Sequence, residues 1–416
     1  MKMFKSLKSA IHWVENLHKF HKRTTLDYLK SIYQTLKIEL NCKKIHIAGT
    51  NGKGSVAAMT TSILVSSGFK VGTFISPYVL KFNERIKINN QNINDKLLLA
   101  SLNKFYFLNE NLQNKGVETL SFFEVLTLMC FDIFSNLELD YIVIECGIGG
   151  LLDATNILKY DFSCITSVGY DHMNILGNTL EMIALNKLGI LKDNGVLIAN
   201  YEDDLEKTFE GYAKSKNAIL YNVNHEKYEI LSIIPNVFKY QNNTYEVSLI
   251  GEFQIKNAIL VLKLVSLLNE AIIVLDTIKI GLLKAANLAR FQIIRKEPLV
   301  IIDAAHNVNA IYALFETLKK LNKNIYVIFS SLKDKDIQAM LDIIKLCAKE
   351  VYLTSFPDAR FSLFSPEILI ENSFFTNIQV CYQYALTKAK PCDIIIITGS
   401  LHFAAYAIKK LAKFIA

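Results

Sequence analysis

The chain has 416 residues, of which 51% are hydrophobic and 20% are charged, and this supplies enough apolar material for two packed domains. The excess of 46 Lys and Arg over 39 Asp and Glu gives a net charge of +7, a mild bias for this length. No run of consecutive basic residues stands out, so the charge does not indicate a nucleic-acid partner. An anionic small substrate suits the same bias.

The cysteines and the apolar segments indicate a cellular compartment. The seven cysteines form no C-x-x-C pair, which is typical of reduced thiols in a cytosolic protein. The N-terminal segment carries charges throughout, unlike a signal peptide, and no stretch approaches the roughly 18 uncharged apolar residues of a membrane span. We therefore expect a soluble cytoplasmic monomer without membrane or nucleic-acid partners.

Strands and helices alternate along the first part of the chain. The segment KKIHIAGT reads as a strand that enters a glycine loop, and SVAAMTTSILVSSGF as the helix after it. Further strands are expected at KVGTFIS, DYIVIECGIGG and FSCITSVG, with a helix at LSFFEVLTLMCFDIFSNL. This alternation predicts a parallel sheet that is covered by helices on both faces.

A second α/β series begins near residue 297 with EPLVIIDAAHN and closes with the strand CDIIIITGS and one more helix. We predict an N-terminal domain over residues 1–285 with a phosphate-loop-type parallel sheet. A hinge over 286–295 would lead to a smaller, Rossmann-like α/β domain over 296–416. Ligands of open parallel sheets bind beyond the carboxyl ends of the strands, where the motifs below fall.

The loop GTNGKGS departs from the usual phosphate-loop pattern, because Ile47 stands where that pattern has its first glycine and the hydroxyl comes one residue late. Its glycines allow a tight turn that presents N–H groups to an anion at a helix N-terminus. We predict that it binds the phosphates of ATP, through Gly49, Thr50, Asn51, Gly52, Lys53, Gly54 and Ser55. The alternative is a glycine-rich turn with a solvated lysine.

Polar residues follow three other predicted strands, namely Ser76, Glu145 and the pair Asp171–His172. Buried carboxylates need partners, and hard oxygen ligands beside ATP favour Mg²⁺. Taken singly, Glu145 could instead be a salt-bridged strand end and His172 a capping residue.

Six stretches, taken together and in their order along the chain, are specific to one protein family: HIAGTNGKGS, ISPYVLKFNERI, IECGIGGLLDATN, DHMNILGNTLEMIALNKLGILK, GEFQIKNA and IIDAAHNVNA. From about residue 20 to 405 the chain resembles the folylpolyglutamate synthase/dihydrofolate synthase family of the Mur ligase superfamily. The resemblance implies an ATP-dependent ligase in which a carboxylate of dihydropteroate or of a folate attacks the γ-phosphate. The amine of L-glutamate then displaces phosphate from the acyl phosphate.

The resemblance also implies two magnesium sites. Ser76 and Glu145 would bind the first ion with Ser55 close by, and Glu145 and His172 would bind the second. Lys187 stands where the family often has a carbamylated lysine, whose carbamate would be a further ligand of the second ion. The alternative is an ordinary lysine on a helix surface. The expected catalytic residues are Lys53, His172, Lys187 and His306.

Other positions carried over by resemblance contact the nucleotide or the pterin. Asn257, Arg290 and Asp303 are expected around the nucleotide, together with His306, for which a structural role at a strand end is the alternative. Phe123, Asp153 and Ala154 match pterin-contacting segments, although Phe123 could equally be a core residue.

The chain departs from the family pattern at Leu151, where an arginine is usual, and at Asn186, which replaces an acid. These departures put the substrate preference in doubt more than catalysis. Two alternative functions remain open. One is a Mur-type ligase that acts on a UDP-linked cell-wall precursor, and the other is a non-catalytic ATP-binding protein of the same fold.

Overall fold

The computed structural model describes residues 3–19, 21, 23–333, 335–361 and 363–412, and it forms two compact units. Unit 1 comprises Met1–Lys227 and Lys256–Ala285, and unit 2 comprises Tyr228–Ile255 and Ala286–Ala416. The segment Tyr228–Ile255, which we placed in the first domain, therefore packs with the second unit. Its Ile234 and Ile250 lie against the apolar core of that unit.

The sheet of unit 1 has eight strands in the order β4-β3-β2-β5-β1-β6-β7-β8. Its strands are β1 (Lys43–Ala48), β2 (Val71–Phe74), β3 (Ile86–Ile88), β4 (Gln91–Asn92), β5 (Tyr141–Glu145), β6 (Phe162–Ile165), β7 (Val196–Ala199) and β8 (Ile219–Asn222). All pairs are parallel except β2–β3 and β3–β4 at one edge. Every residue of β2 and β5 is buried, so both faces of the sheet are covered, as predicted.

The helices of unit 1 cover this sheet. They are α1 (Leu7–Glu15), α2 (Asp27–Thr35), α3 (Lys53–Ser66), α4 (Asp95–Asn114), α5 (Phe122–Ser135), α6 (Met173–Leu176), α7 (Leu180–Leu188), α8 (Glu206–Ser215), α9 (Glu252–Leu268, in unit 1 from Lys256 onward) and α10 (Leu275–Lys284). Helix α5 is almost wholly buried and begins with a capping box between Ser121 and Glu124, which satisfies backbone N–H groups at the helix start. The helices predicted after the glycine loop and at 120–137 are thus present.

Unit 2 contains two sheets. Strands β9 (Tyr228–Ser232), β10 (Asn236–Tyr240) and β11 (Asn243–Val247) form an antiparallel meander that we did not predict. The larger sheet has the order β12-β13-β17-β14-β15-β16 and is parallel except for β12. Its strands are β12 (Gln292–Lys296), β13 (Leu299–Ile302), β14 (Ile325–Phe329), β15 (Glu350–Thr354), β16 (Ser373–Phe375) and β17 (Ile394–Thr398).

The helices of unit 2 alternate with the parallel strands. They are α11 (Val308–Lys319), α12 (Ile337–Lys345), α13 (Pro366–Glu371), α14 (Ile378–Lys388) and α15 (Leu401–Leu411). The α/β fold class is therefore confirmed for both units. Within the ranges that the structure describes, no helix is both long and apolar enough to cross a membrane.

Candidate active site

The glycine loop connects β1 to α3 and is held by the residues that follow β6. The N–H of Thr50 donates to the carbonyl of Ser167 (3.0 Å), and the N–H of Asn51 donates to the Ser167 hydroxyl (3.0 Å). The Thr166 hydroxyl donates to the carbonyl of Asn51 (2.5 Å). These bonds tie the loop backbone to the residues that follow the neighbouring strand β6.

Two glycines of the loop occupy positions where a side chain would not fit. Gly52 precedes α3 with φ of +90°, and a Cβ there would lie 2.6 Å from Oδ1 of Asn257. A Cβ at Gly49 would lie 1.9 Å from the Thr166 hydroxyl oxygen. The structure therefore brings Asn257 against the loop, next to the helix N-terminus where an anion would be stabilised.

The Lys53 ammonium lies over the loop. Its Nζ donates to the carbonyls of Gly49 (2.8 Å) and Thr50 (3.3 Å). Ser55 is buried in the first turn of α3. The alternative of a fully solvated lysine on a plain turn is not what the structure contains, because the ammonium is partly buried against its own loop.

Ser76 and Glu145 lie together at the carboxyl ends of β2 and β5, which are parallel neighbours. The backbone N–H of Ser76 donates to Oε2 of Glu145 (3.1 Å), and this carboxylate is only 5% exposed. Nη1 of Arg85 donates to the Ser76 hydroxyl oxygen (3.3 Å). A hydroxyl and a carboxylate at this edge are hard oxygen donors that fit Mg²⁺.

Lys187 is the most unusual cation of the site. Its side chain is 2% exposed on α7, so the alternative of an ordinary helix-surface lysine is wrong. Burial, together with the positive charge of Lys53, lowers the pKa of the Lys187 ammonium to about 7, although Cys146 and Asp171 oppose the shift. Near neutral pH a large share of Lys187 is therefore a neutral amine.

His172 follows β6 and occupies the N-cap position of α6 with a left-handed backbone (φ +50°). Its backbone N–H donates to Oδ1 of Asp171 (2.9 Å), and the residue is exposed. Among the residues that the structure describes, no three His, Cys, Asp or Glu side chains form a metal-binding group. A cation here would need hydroxyl, phosphate or carbamate oxygens as well, and the ligand set of the second ion stays a prediction.

The residues predicted to contact the pterin lie in the loop after β5 or on the helix α5 that packs against this loop. Asp153 is buried, and its carboxylate accepts N–H groups from Ile148 (3.0 Å) and Thr155 (3.0 Å), which makes it an organiser of its own loop. Burial raises the pKa of this carboxyl. Ala154 begins the short 3₁₀ turn after it. The Phe123 ring packs on Gly147, where a Cβ would lie 2.6 Å from the ring. Their contact with a pterin stays a prediction.

Three predicted nucleotide contacts lie in unit 2. The two carboxylate oxygens of Asp303 accept the N–H groups of Phe291 (2.7 Å) and Ala305 (2.8 Å). Burial raises the pKa of Asp303, and the positive charge of Arg290 opposes this. Nδ1 of His306 lies 2.8 Å from the carbonyl of Ala304. Arg290, Asp303 and His306 thus share one region of this unit, and their binding of a nucleotide stays a prediction.

Sequence reasoning missed several residues that shape the site. Arg85 belongs to the motif ISPYVLKFNERI and was assigned no role, although it stands directly before β3 and is buried. Thr166 and Ser167 were predicted as part of the strand FSCITSVG, but they follow β6 and so lie at the same sheet edge. Asn186, one of the departures, accepts the N–H of Gly150 through Oδ1 (3.1 Å).

Comparison with known proteins gives the family. The Mur ligase middle domain matches residues 47–265, and the Mur ligase glutamate ligase domain matches residues 289–401. The dihydrofolate synthase/folylpolyglutamate synthase of Bacillus subtilis (strain 168) is 32% identical over 429 residues, which cover 98% of this chain and 100% of that protein.

Solved structures agree with this match. E. coli FolC in complex with DHPP and ADP has a TM-score of 0.88 and 27% identity, with all of both chains covered. The bifunctional folylpolyglutamate synthase/dihydrofolate synthase from Yersinia pestis, complexed with AMPPNP and Mn ion, has a TM-score of 0.86 and 25% identity over 99% of this chain and 100% of that one. The chain therefore belongs to the dihydrofolate synthase/folylpolyglutamate synthase family of Mur ligases.

Proposed function

We propose that this protein is a carbon–nitrogen ligase that joins L-glutamate to dihydropteroate and to reduced folates at the expense of ATP. The observation that carries the proposal is the shared sheet edge. There the phosphate loop after β1 and the Ser76–Glu145 pair after β2 and β5 lie at the ends of neighbouring parallel strands. Phosphoryl transfer needs a cradle for phosphate and hard ligands for its counter-ion, which the loop and this pair would supply.

The loop and Lys53 would bind the phosphates of ATP. Backbone N–H groups at the start of α3 and the Lys53 ammonium, which donates to two loop carbonyls in this structure, would donate to the phosphates. Such donors stabilise a transition state in which charge spreads over the transferred group. Ser76 and Glu145 would hold magnesium, which neutralises phosphate charge when bound. Asn257, which lies against Gly52, would contact the nucleotide beside the loop.

The acyl acceptor would present its carboxylate to the γ-phosphate. The carboxylate oxygen attacks phosphorus, ADP leaves, and the amine of L-glutamate then attacks the acyl carbon with loss of phosphate. In such chemistry the protein mainly positions the reactants and excludes water. Phe123, Asp153 and Ala154 would line the pterin side, and Arg290, Asp303 and His306 would act around the nucleotide.

Lys187 would be carbamylated in the active protein. A neutral amine attacks CO₂ and loses one proton, which converts a cation next to Lys53 into an anion that offers oxygen ligands to a second cation, together with Glu145 and His172. Support comes from its 2% exposure and from its pKa of about 7, since a neutral amine is the form that reacts.

Carbamylation can be observed directly with ¹³C-labelled bicarbonate and NMR. We expect a carbamate signal from the wild-type protein and none from Lys187→Met. Lys192→Met is the matched control, because burial also lowers the pKa of Lys192, to about 8, but its ammonium donates to the Asn156 side-chain oxygen (2.6 Å). A signal that persists in Lys187→Met and disappears in Lys192→Met would refute the assignment.

The proposed activity is tested with a substrate panel. Purified protein, ATP, Mg²⁺ and labelled glutamate are offered with dihydropteroate and, separately, with tetrahydrofolate. We expect incorporation of label in both reactions. Incorporation with one acceptor alone would reduce the proposal to a monofunctional ligase. Activity only on a UDP-linked precursor, or none on any acceptor, would overturn it.

A further inference from the structure

Arg85 is a buried cation whose guanidinium donates a hydrogen bond to Ser76, a predicted metal ligand. Arg85 is only 5% exposed, and its Nη1 donates to the Ser76 hydroxyl oxygen (3.3 Å). Among the described residues, its Nε has no hydrogen-bond partner. Burying a guanidinium with an unsatisfied N–H is costly, so a position of this kind needs a compensating function.

Three aromatic rings hold the guanidinium in place. Its Cζ lies 5.1 Å from the ring centre of Tyr78, and 5.3 Å from those of Phe82 and Phe122. Contacts of this length are within the range of cation–π attraction. The rings restrict where the guanidinium can move, and they therefore restrict the direction of its bond to Ser76.

The bond to Ser76 reaches Glu145 through the backbone. Ser76 accepts from Arg85 with its hydroxyl and donates its N–H to Oε2 of Glu145 (3.1 Å). Because Arg85 uses one acceptor lone pair of the hydroxyl, it fixes the direction in which the other lone pair is presented. Residues that orient a metal ligand in this way commonly control its affinity for the metal.

We propose that Arg85 is a positioning residue that orients Ser76, and through it Glu145, for the magnesium bound with the nucleotide. The inference rests on the proposed function, which makes Ser76 and Glu145 magnesium ligands. Because Arg85 is buried, we expect it to act through Ser76 and not by direct contact with a substrate.

The backbone around Arg85 is held independently of its side chain. The Glu84 carboxylate accepts the N–H groups of Val79 (2.8 Å), Leu80 (3.0 Å) and Lys81 (2.8 Å), and the N–H of Ile75 donates to the carbonyl of Arg85 (2.9 Å). Replacing the guanidinium with an apolar side chain of similar length should therefore leave the loop folded.

The test compares the affinity for ADP with and without Mg²⁺ by calorimetry. In Arg85→Met we expect the enhancement of ADP affinity by Mg²⁺ to fall about tenfold or more, as for other residues that orient metal ligands. The affinity without Mg²⁺ should stay as in the wild type. Arg85→Lys keeps a cation, so its Mg²⁺ enhancement should lie between those of the wild type and Arg85→Met. This variant provides the test if Arg85→Met does not fold. Arg295→Met, which removes an arginine that donates to the carbonyl of Glu297, is the control and should behave as wild type.

A double-mutant cycle with Ser76→Ala decides whether Arg85 acts through Ser76. If it does, Arg85→Met lowers the Mg²⁺ enhancement no further in the Ser76→Ala background. An unchanged enhancement in folded Arg85→Met, an equal loss in both backgrounds, or a raised KM for the acyl acceptor alone would overturn the inference. Absence of Mg²⁺ enhancement in the wild type would overturn the proposed metal site as well. Failure of the metal site can thus be told apart from failure of the positioning role of Arg85.

Discussion

Lys53 and Lys187 are two lysines close enough for the charge of one to lower the pKa of the other, and they differ in what holds them. The Lys53 ammonium donates to two loop carbonyls, at 2.8 and 3.3 Å. Lys187 is buried on α7. Substitutions should therefore separate their roles. We expect replacement of Lys53 to affect turnover, and replacement of Lys187 to affect both turnover and stability.

Lys53→Ala should lower kcat for glutamate incorporation by roughly 10²–10³-fold or more, because a donor to developing negative charge contributes at this scale. The midpoint of thermal unfolding should change little, since the side chain leaves only two loop carbonyls behind. Lys70→Ala, at an exposed position before β2, is the control for loss of a lysine. Near-normal turnover in Lys53→Ala would show that the loop is not the phosphate cradle.

Lys187→Met should be more stable than the unmodified wild type at pH 7, although it is inactive. The folded pKa of about 7 lies below the unfolded value of 10.5, so the unfolded chain binds more protons between these two pH values. The cost of burying Lys187 is therefore full below pH 7 and shrinks as pH rises toward 10.5. At pH 7 it is on the order of a few kcal/mol.

The measurement is urea unfolding of both proteins from pH 7 to 10 in CO₂-free buffer. We expect the difference in unfolding free energy to decrease steadily with pH. A difference that does not depend on pH would mean that Lys187 is not buried as an amine.

At the residue scale the positions of the motifs could be predicted, but their surroundings could not. The resemblance located Lys187, yet the neighbouring sequence LNKLGI gives no measure of burial. Residues that are distant in sequence pack against this helix, since a Cβ at Gly150 would lie 2.8 Å from the carbonyl of Lys187. Likewise, the partners of Asp153 are backbone N–H groups, which every residue other than proline carries and no sequence pattern reveals.

At the scale of elements, the loop and α3 depend on Gly52 for two separate reasons. The residue has a left-handed φ of +90°, and it has no room for a Cβ beside Asn257. Gly68, just after α3, has φ of +94° but open space around it. The two glycines can therefore be compared directly. Gly68 has only the left-handed backbone, whereas Gly52 has the left-handed backbone and also lacks room for a Cβ.

Gly52→Ala should weaken ATP binding by about tenfold or more, equal to about 1.4 kcal/mol, because the loop must shift away from Asn257. Gly68→Ala should lose about 1–2 kcal/mol of stability from the left-handed backbone and keep its ATP affinity. Calorimetric titration with ATP and urea unfolding of each variant give both quantities. Equal ATP affinities in the two variants would contradict the importance of the contact with Asn257.

The parallel strands were predictable because buried apolar runs alternate with helical segments, whereas the meander β9–β11 was not recognised. In β9 the exposure of successive residues alternates, and its sequence is partly polar. A signal was nevertheless present. Gln241 and Asn242 both have a left-handed backbone in the two-residue turn between β10 and β11, and asparagine is one of the residues that such hairpin turns favour.

At the scale of the whole molecule, the chain passes from unit 1 to unit 2 and back before it enters unit 2 for good. The excursion 228–255 supplies Ile234 and Ile250 to the core of unit 2 and Glu252 to an ion pair with Lys320. A cut at residue 285 would therefore divide the chain between the family domains but would also divide unit 2.

We predict that a fragment of residues 1–285 does not ligate glutamate, and that residues 286–416 alone do not fold cooperatively. The first fragment lacks Arg290, Asp303 and His306, and it carries the 228–255 segment without the core that buries its isoleucines. The second fragment lacks that segment, so the apolar surface under Ile234 and Ile250 becomes exposed, and exposing apolar surface costs about 25 cal/mol per Å². Glutamate incorporation and thermal unfolding of each fragment, with the intact chain as reference, give the measurement. If the first fragment ligated glutamate at the full rate, unit 2 would be dispensable for catalysis. A cooperative unfolding transition in the second fragment, at the temperature of the intact chain, would show that the 228–255 segment contributes nothing to its stability.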